Sequence, residues 1–352
     1  MKSIVHVLLI GLVALPFLAC EREAAFGGGS WLIPQNEVFD GGPGKDGIPS
    51  IDNPSFVSRE EGDAFVADSE LVVGVVNNGV ARAYPHSILN WHEIINDQVG
   101  NISVAVTYCP LTGTAIGWDR MVDTSETTFG VSGLLYNTNL LPYDRASNSI
   151  WSQMRLDCVN GSLAGTKVGL HQVVETTWGT WKSMYPQTEV VSDQTGFFRD
   201  YTDYPYGDYI TNDSRLFFPI SHADSRLPAK DRVLGVTIGE FAKVYPIASF
   251  GAGVKVIADE VNGTPLVAVG SESLNFAVAF EGKAADGTLL SFTALQDQLP
   301  LVMSDNEGNQ WDVFGRATSG PRSGEQLKAV DGYIGYFFAW GTFYPGMEIY
   351  EN

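Results

Sequence analysis

Apolar and polar residues alternate over short stretches of this chain, and Gly, Asn or Pro closes most of them. The β-branched and aromatic character of residues 71–76, 80–84, 103–108, 115–119, 127–131 and 167–174 predicts strands. The period changes over 87–97, where Ile88, Trp91, His92 and Ile95 fall on one helical face and Ser87 can cap the start. A second short helix is predicted over 177–184, stopped before Pro186. The pattern therefore predicts an α+β fold that is predominantly β.

The pattern also occurs twice. Ala81-Arg82-Ala83-Tyr84-Pro85 returns as Ala242-Lys243-Val244-Tyr245-Pro246, and Ile95-Asn96-Asp97 returns as Ile257-Ala258-Asp259. Trp151 answers Trp311, and Trp181 with Tyr185-Pro186 answers Trp340 with Tyr344-Pro345. Matches in register along so much chain identify an internal repeat. The expected organisation is a first copy over 51–191, an ordered connection over 192–232 and a second copy over 233–350. The two copies are expected as tandem β-rich domains, each with one or two short helices, related by a pseudo-two-fold. The connection carries Tyr201, Tyr204, Tyr206 and Tyr209, and its length suits the wall of a site.

The N-terminus changes the picture of where the protein works. Lys2 precedes a short apolar run that ends in Phe17-Leu18-Ala19-Cys20, the layout of a secretory signal over 1–20. This end resembles a lipobox, which would make Cys20 the acylated first residue of a mature chain anchored to the membrane of the bacterial envelope. Gly-rich residues 21–50 read as a flexible tether. The formal net charge of −20 excludes non-specific nucleic-acid binding, which needs clustered Lys and Arg.

Candidate chemistry is unequal between the copies. Cys109 ends a predicted strand at a Pro/Gly turn, with His92 on the predicted helix and His86 at its entrance. In the second copy their places are taken by Ser271, Val254 and Ile247. A strand-end Cys is commonly a small buried apolar residue, and a His on an apolar face is commonly a satisfied core residue. In an oxidising compartment Cys109 could also pair with Cys158. As a site, Cys109, His92 and His86 suit copper or zinc, and Cys109 with His92 as catalytic residues suits a thiol enzyme. Supporting roles are expected for Tyr108, Thr112, Ser132, Asp144, Arg145 and Gln153, since Asp144, Arg145 and Gln153 have no clear match in the second copy.

Trp91-His92-Glu93-Ile94-Ile95-Asn96-Asp97, Thr107-Tyr108-Cys109-Pro110-Leu111-Thr112-Gly113-Thr114, Gly130-Val131-Ser132-Gly133, Tyr143-Asp144-Arg145 and Trp151-Ser152-Gln153 resemble the family called domain of unknown function 3179. The resemblance runs from Ile51 to Tyr350 and implies an exported protein without an assigned activity. The family usually has Met before Tyr-Asp-Arg, where this chain has Pro142, so a thioether ligand is not implied there. Three functional readings stay open: a metal-site protein, a thiol-dependent enzyme, and a module binding a partner protein or polymer.

Overall fold

The computed structural model describes residues 29–351, so the signal segment and Cys20 lie outside the described residues. The fold is mostly β, with 42% of residues in strands against 11% in helices. Each half contains three sheets in the same connectivity, to which the first half adds a two-stranded pair of Met121–Val122 with Ser125–Glu126. In the first half, the Leu71–Asn77 and Val80–Pro85 hairpin is flanked by antiparallel Val174–Thr177 and parallel Glu189–Val191. In the second half, the Arg232–Ile238 and Phe241–Pro246 hairpin is flanked by antiparallel Asp331–Tyr336 and parallel Glu348–Ile349.

The second sheet repeats as well. Strands Ile94–Val99, Ile102–Cys109 and Thr114–Asp119 form an antiparallel meander, matched by Lys255–Val261, Thr264–Ser271 and Phe276–Glu281. A third sheet in each half carries the buried Trp151 or Trp311.

Specific side chains hold both copies of this scaffold. Tyr84 donates to Asp97 at 2.7 Å beside Arg82, as Tyr245 donates to Asp259 at 2.8 Å beside Lys243. A Cβ on Gly74 would meet the Trp181 ring at 2.1 Å, and one on Gly235 would meet the Trp340 ring at 2.1 Å. Glycine is required at both places because an indole lies flat on the strand.

The halves are not two side-by-side domains with separate interiors. One core joins Ile94, Trp118 and Trp151 of the first half to Val233, Tyr333 and Trp340 of the second. A second core makes the reciprocal exchange, joining Val72, Trp178 and Trp181 to Val269, Phe276 and Trp311. The physical reason is the two-sidedness of the hairpin sheet. One face covers its own half's meander, as Val73, Tyr84 and Val106 do. The other face, with its Trp-bearing helix, buries most of its apolar surface against the opposite half.

Three expectations need correction. The helix spans His86–His92 and not 87–97: Glu93 takes φ 57° and caps it, and Ile94–Val99 is a strand. Ile94, Ile95 and Val99 satisfy a β pattern as well as the helical one, and six ladder positions along Ile102–Thr107 decide for the strand. The 167–174 stretch splits into Leu170–His171 and Val174–Thr177, which belong to different sheets.

Finally, the described part of 21–50 is held in place. Val38–Asp40 pairs with Leu134–Tyr136, and Arg145 reaches Asp46, Ser50 and Asp52 at 3.0–3.2 Å. Ladder bonds and a three-partner guanidinium fix a segment that composition alone marks as flexible.

Candidate functional site

The turn after the Ile102–Cys109 strand positions the thiol. The Thr112 N–H donates to the Cys109 carbonyl, and Gly113 at φ 61° lets the chain return as Thr114, paired with Cys109. Gly113 also permits close approach from the other half, since a Cβ there would meet the Tyr336 ring at 2.9 Å. Cys109 itself is 1% exposed, with its Sγ 3.8 Å from the Thr138 carbonyl oxygen. Burial, and secondarily the nearby Glu93 carboxylate, push the thiol up to about 11.

Glu93 is the site residue that sequence reasoning passed over. Its carboxyl is buried and pushed up to about 7, chiefly by loss of hydration. Its backbone carbonyl accepts from the Tyr108 N–H at 2.7 Å, which ties the left-handed corner to the cysteine strand. A non-glycine residue at positive φ costs of order 1 kcal/mol, so the surrounding packing must impose it. A signal was present in the repeat: the strand register makes Lys255 the counterpart of Glu93.

Tyrosines of the 192–232 connection close the site. The Tyr206 hydroxyl lies 3.5 Å from Glu93 Oε1, and the Tyr209 hydroxyl donates to the Leu111 carbonyl at 2.8 Å. The Tyr204 hydroxyl is buried without a hydrogen-bond partner. Lys230 lies over the Tyr209 ring, 3.1 Å from its centroid, and burial lowers its ammonium to about 8. Cys109 is thus walled by phenols and a protonatable carboxyl.

Below it, Gln153 binds the hydroxyls of Thr107 and Thr114, and Asn139 joins Thr112 to the same network. In the second half, Val269, Phe276 and Val313 stand where Thr107, Thr114 and Gln153 stand in the first. The polar floor belongs to the first half alone.

The two histidines go elsewhere. His92 Nδ1–H donates to the Pro49 carbonyl at 2.7 Å, which leaves Nε2 to accept from the Tyr201 hydroxyl at 2.7 Å. Both ring nitrogens are therefore committed. His86 stacks near Tyr108, with ring centroids 4.4 Å apart, and its Nε2 lies 3.7 Å from Glu175. Burial lowers His86 to about 3, so its ring is neutral.

The residues do not fit copper or zinc, whose ligands must converge at about 2.0–2.3 Å with free donor atoms. Among the described residues, no three His, Cys, Asp or Glu side chains form a group able to hold a metal ion. Cys109 and Cys158 are both free and buried, and Cys158 faces the Asn160 carbonyl at 3.3 Å. The disulfide is not formed.

The supporting residues divide similarly. Tyr108, Thr112 and Gln153 border the cysteine. Ser132 instead caps a bulge, donating to the Leu141 carbonyl and accepting from Leu134 N–H. Arg145 fixes the N-terminal segment, as described above. Asp144 is scaffold: its Oδ2 accepts from Trp151 Nε1 at 3.0 Å, as Asp305 Oδ2 accepts from Trp311 Nε1 at 2.9 Å. The recurrence of Asp144 escapes a sequence match because the loop from Asp to Trp differs by one residue between halves.

The chain belongs to the family described as protein of unknown function DUF3179, whose model matches residues 45–347. No curated protein and no solved structure matches it. Among the described residues no helix is long and apolar enough to cross a membrane.

Proposed function

We propose that the chain is a thiol-dependent enzyme of the cell envelope, in which Glu93 takes the proton of Cys109 as a small uncharged electrophile is attacked. The observation that carries this reading is the pairing of a buried thiol with a buried carboxyl near neutrality, both absent from the matching place in the second half. The carboxyl near 7 is suited to exchange protons at working pH, whereas the thiol near 11 is not. Moving the proton from thiol to Glu93 costs about 5 kcal/mol in the closed site, so the resting sulfur is neutral. Displacement of the connection's tyrosines would rehydrate the pair and lower that cost. Export rests on the signal-like segment, with a lipid on Cys20 holding the folded body at the membrane. The mass of the mature N-terminal peptide tests this part.

Alkylation of Cys109 by iodoacetamide tests the chemistry. An S–C bond forms, iodide leaves, and the thiol proton passes through Glu93 to solvent. The rate in the wild-type chain should rise with an inflection near pH 7, as Glu93 ionises. In Glu93→Gln the inflection should vanish and the rate at pH 8 should fall by roughly a hundredfold, the scale of general-base assistance. Cys158 in the same sample is the internal reference. Identical Cys109 profiles for the two proteins would end the proposal.

A further inference from the structure

The two halves also differ along one strand edge. In the first half the outer edge of Ile94–Val99 is covered by a segment of the chain itself. The Ile51 N–H donates to the Ile94 carbonyl at 2.9 Å, and the Asn96 N–H donates to the Ile51 carbonyl at 2.8 Å, which makes one parallel rung. The same segment crosses the neighbouring sheet, where the Asp46 N–H donates to the Val131 carbonyl at 2.8 Å. Beneath it Asn96, Phe129 and Val131 are all buried.

The register makes Val256 and Ala258 the counterparts of Ile94 and Asn96, and Phe292 and Ala294 the counterparts of Phe129 and Val131. The backbone groups of Val256 and Ala258 therefore point away from Thr264–Ser271, as those of Ile94 and Asn96 point away from Ile102–Cys109. Among the described residues none pairs with them: the Val256 carbonyl accepts no hydrogen bond and the Ala258 N–H donates none. Ala258 and Thr293 are exposed, and Phe292 and Ala294 are only half-buried. Farther along, Tyr350 stacks on Tyr245 much as Phe56 meets Tyr84, so the chain fills that part of the track itself. The edge at Val256 and Ala258 stays bare, and a bare edge is a template for another strand.

We propose that the open edge of Lys255–Val261 binds an extended, basic segment of a partner protein, which pairs with it as a parallel strand. One residue of the guest donates to the Val256 carbonyl and accepts from the Ala258 N–H, as Ile51 does with its counterparts in the first half. The charge of the guest follows from the same comparison. Arg145 holds Asp46 and Asp52 of the first half's segment at 3.2 and 3.1 Å. Asn306 stands in its place in the second half, since the Asn306 N–H donates to the Ser291 carbonyl as the Arg145 N–H donates to that of Thr128. The next outward residue along the edge is the exposed Glu260, so basic side chains are favoured where the first half takes acidic ones. A second copy of the chain is a poor guest, because a net charge of −20 repels it. The edge uses none of the groups in the thiol–carboxyl reading and stands or falls separately from it.

The probe is a synthetic peptide of residues 46–54 carrying Asp46→Lys and Asp52→Lys, titrated into the full chain and followed by calorimetry or ligand-observed NMR. It should bind saturably and at least tenfold more tightly than the unsubstituted peptide. N-methylation of the peptide's Ile51 amide, and Ala258→Pro in the protein, each remove one hydrogen bond of the rung and add a clash. Each should weaken binding by tenfold or more. Proline is tolerated where a strand N–H faces solvent, so Ala258→Pro should keep the wild-type dichroism spectrum. If that variant does not fold, the N-methylated peptide against the wild-type chain decides alone. No saturable binding of the lysine peptide would overturn the proposal, as would equal binding of the unsubstituted or the N-methylated peptide. So would a wild-type dimer in sedimentation that Ala258→Pro dissociates, which would assign the edge to a second copy.

Discussion

The strand end at Cys109 and the strand end at Ser271 occupy the same place in two copies of one fold, and their surroundings differ in kind. At Cys109 the floor is Thr107, Thr114 and Gln153, and the neighbour across the sheet corner is Glu93. At Ser271 the floor is Val269, Phe276 and Val313, the corner residue is Lys255, and the serine hydroxyl donates to the Ala252 carbonyl at 2.9 Å. The Tyr–Asp pairs, the Trp–Asp pairs and the Gly–Trp contacts persist in both. What is kept twice is scaffold, and what is found once is the candidate chemistry.

The largest test of this comparison is Trp181→Ala set against Trp340→Ala. Each deletes an indole buried in a core that both halves share, and each should cost about 3–5 kcal/mol. Denaturant unfolding should remain a single transition in both variants, followed by near- and far-ultraviolet dichroism alike. Separate melting of one half would break the picture of exchanged cores.

Next is the pH dependence that Glu93 brings to the first half. Glu93 moves from an ordinary value of 4.5 to about 7 on folding, so between these values the folded chain holds a proton that the unfolded chain has lost. Stability therefore falls as pH rises from about 4.5 to 7, by roughly 3 kcal/mol for this group. His86 works oppositely: its folded value of about 3 against 6.5 removes stability as pH falls from 6.5 towards 3. The wild-type minus Glu93→Gln difference isolates the glutamate. That difference should shift against the wild type by roughly 3 kcal/mol from pH 4.5 to 7, while a flat difference would refute the burial argument.

A smaller effect should be equal between halves. Asp144→Ala and Asp305→Ala each strand a buried indole N–H and should each cost about 1–3 kcal/mol. Asp144→Ala should leave the Cys109 alkylation inflection in place; its loss would return Asp144 to the site. The smallest effect concerns the parallel edge strands. Glu189 lies 3.6 Å from Arg82, Glu348 lies 3.6 Å from Lys243, and both carboxylates are exposed. Glu189→Gln and Glu348→Gln should each change unfolding free energy by less than about 0.5 kcal/mol.

Much of the first half's scaffold was legible because alternation and β-branching coincide, as at Leu71–Asn77 and Ile102–Cys109. The helix end was not, since Ile95 fits both periods and only pairing with Val106 chooses between them. Cys109 stood out through its replacement by serine, and His92 through its residue type. Yet His92 spends both nitrogens holding Pro49 and Tyr201, a role that depends on segments about 43 and 109 residues distant. Glu93 could be singled out from the repeat only as the counterpart of Lys255, while its near-neutral carboxyl comes from lost hydration, which residue type and spacing do not encode.

By itself the sequence determined the family, the β character, the repeat and the half that carries the unusual residues, because these follow from local pattern and from comparing the chain with itself. The tertiary structure alone decided that the halves exchange hairpin sheets, that the histidines lie apart from the thiol, and that a glutamate and several tyrosines surround it. Those outcomes depend on which distant surfaces exclude water from one another. A sequence read along its length does not contain that contact until the chain has folded.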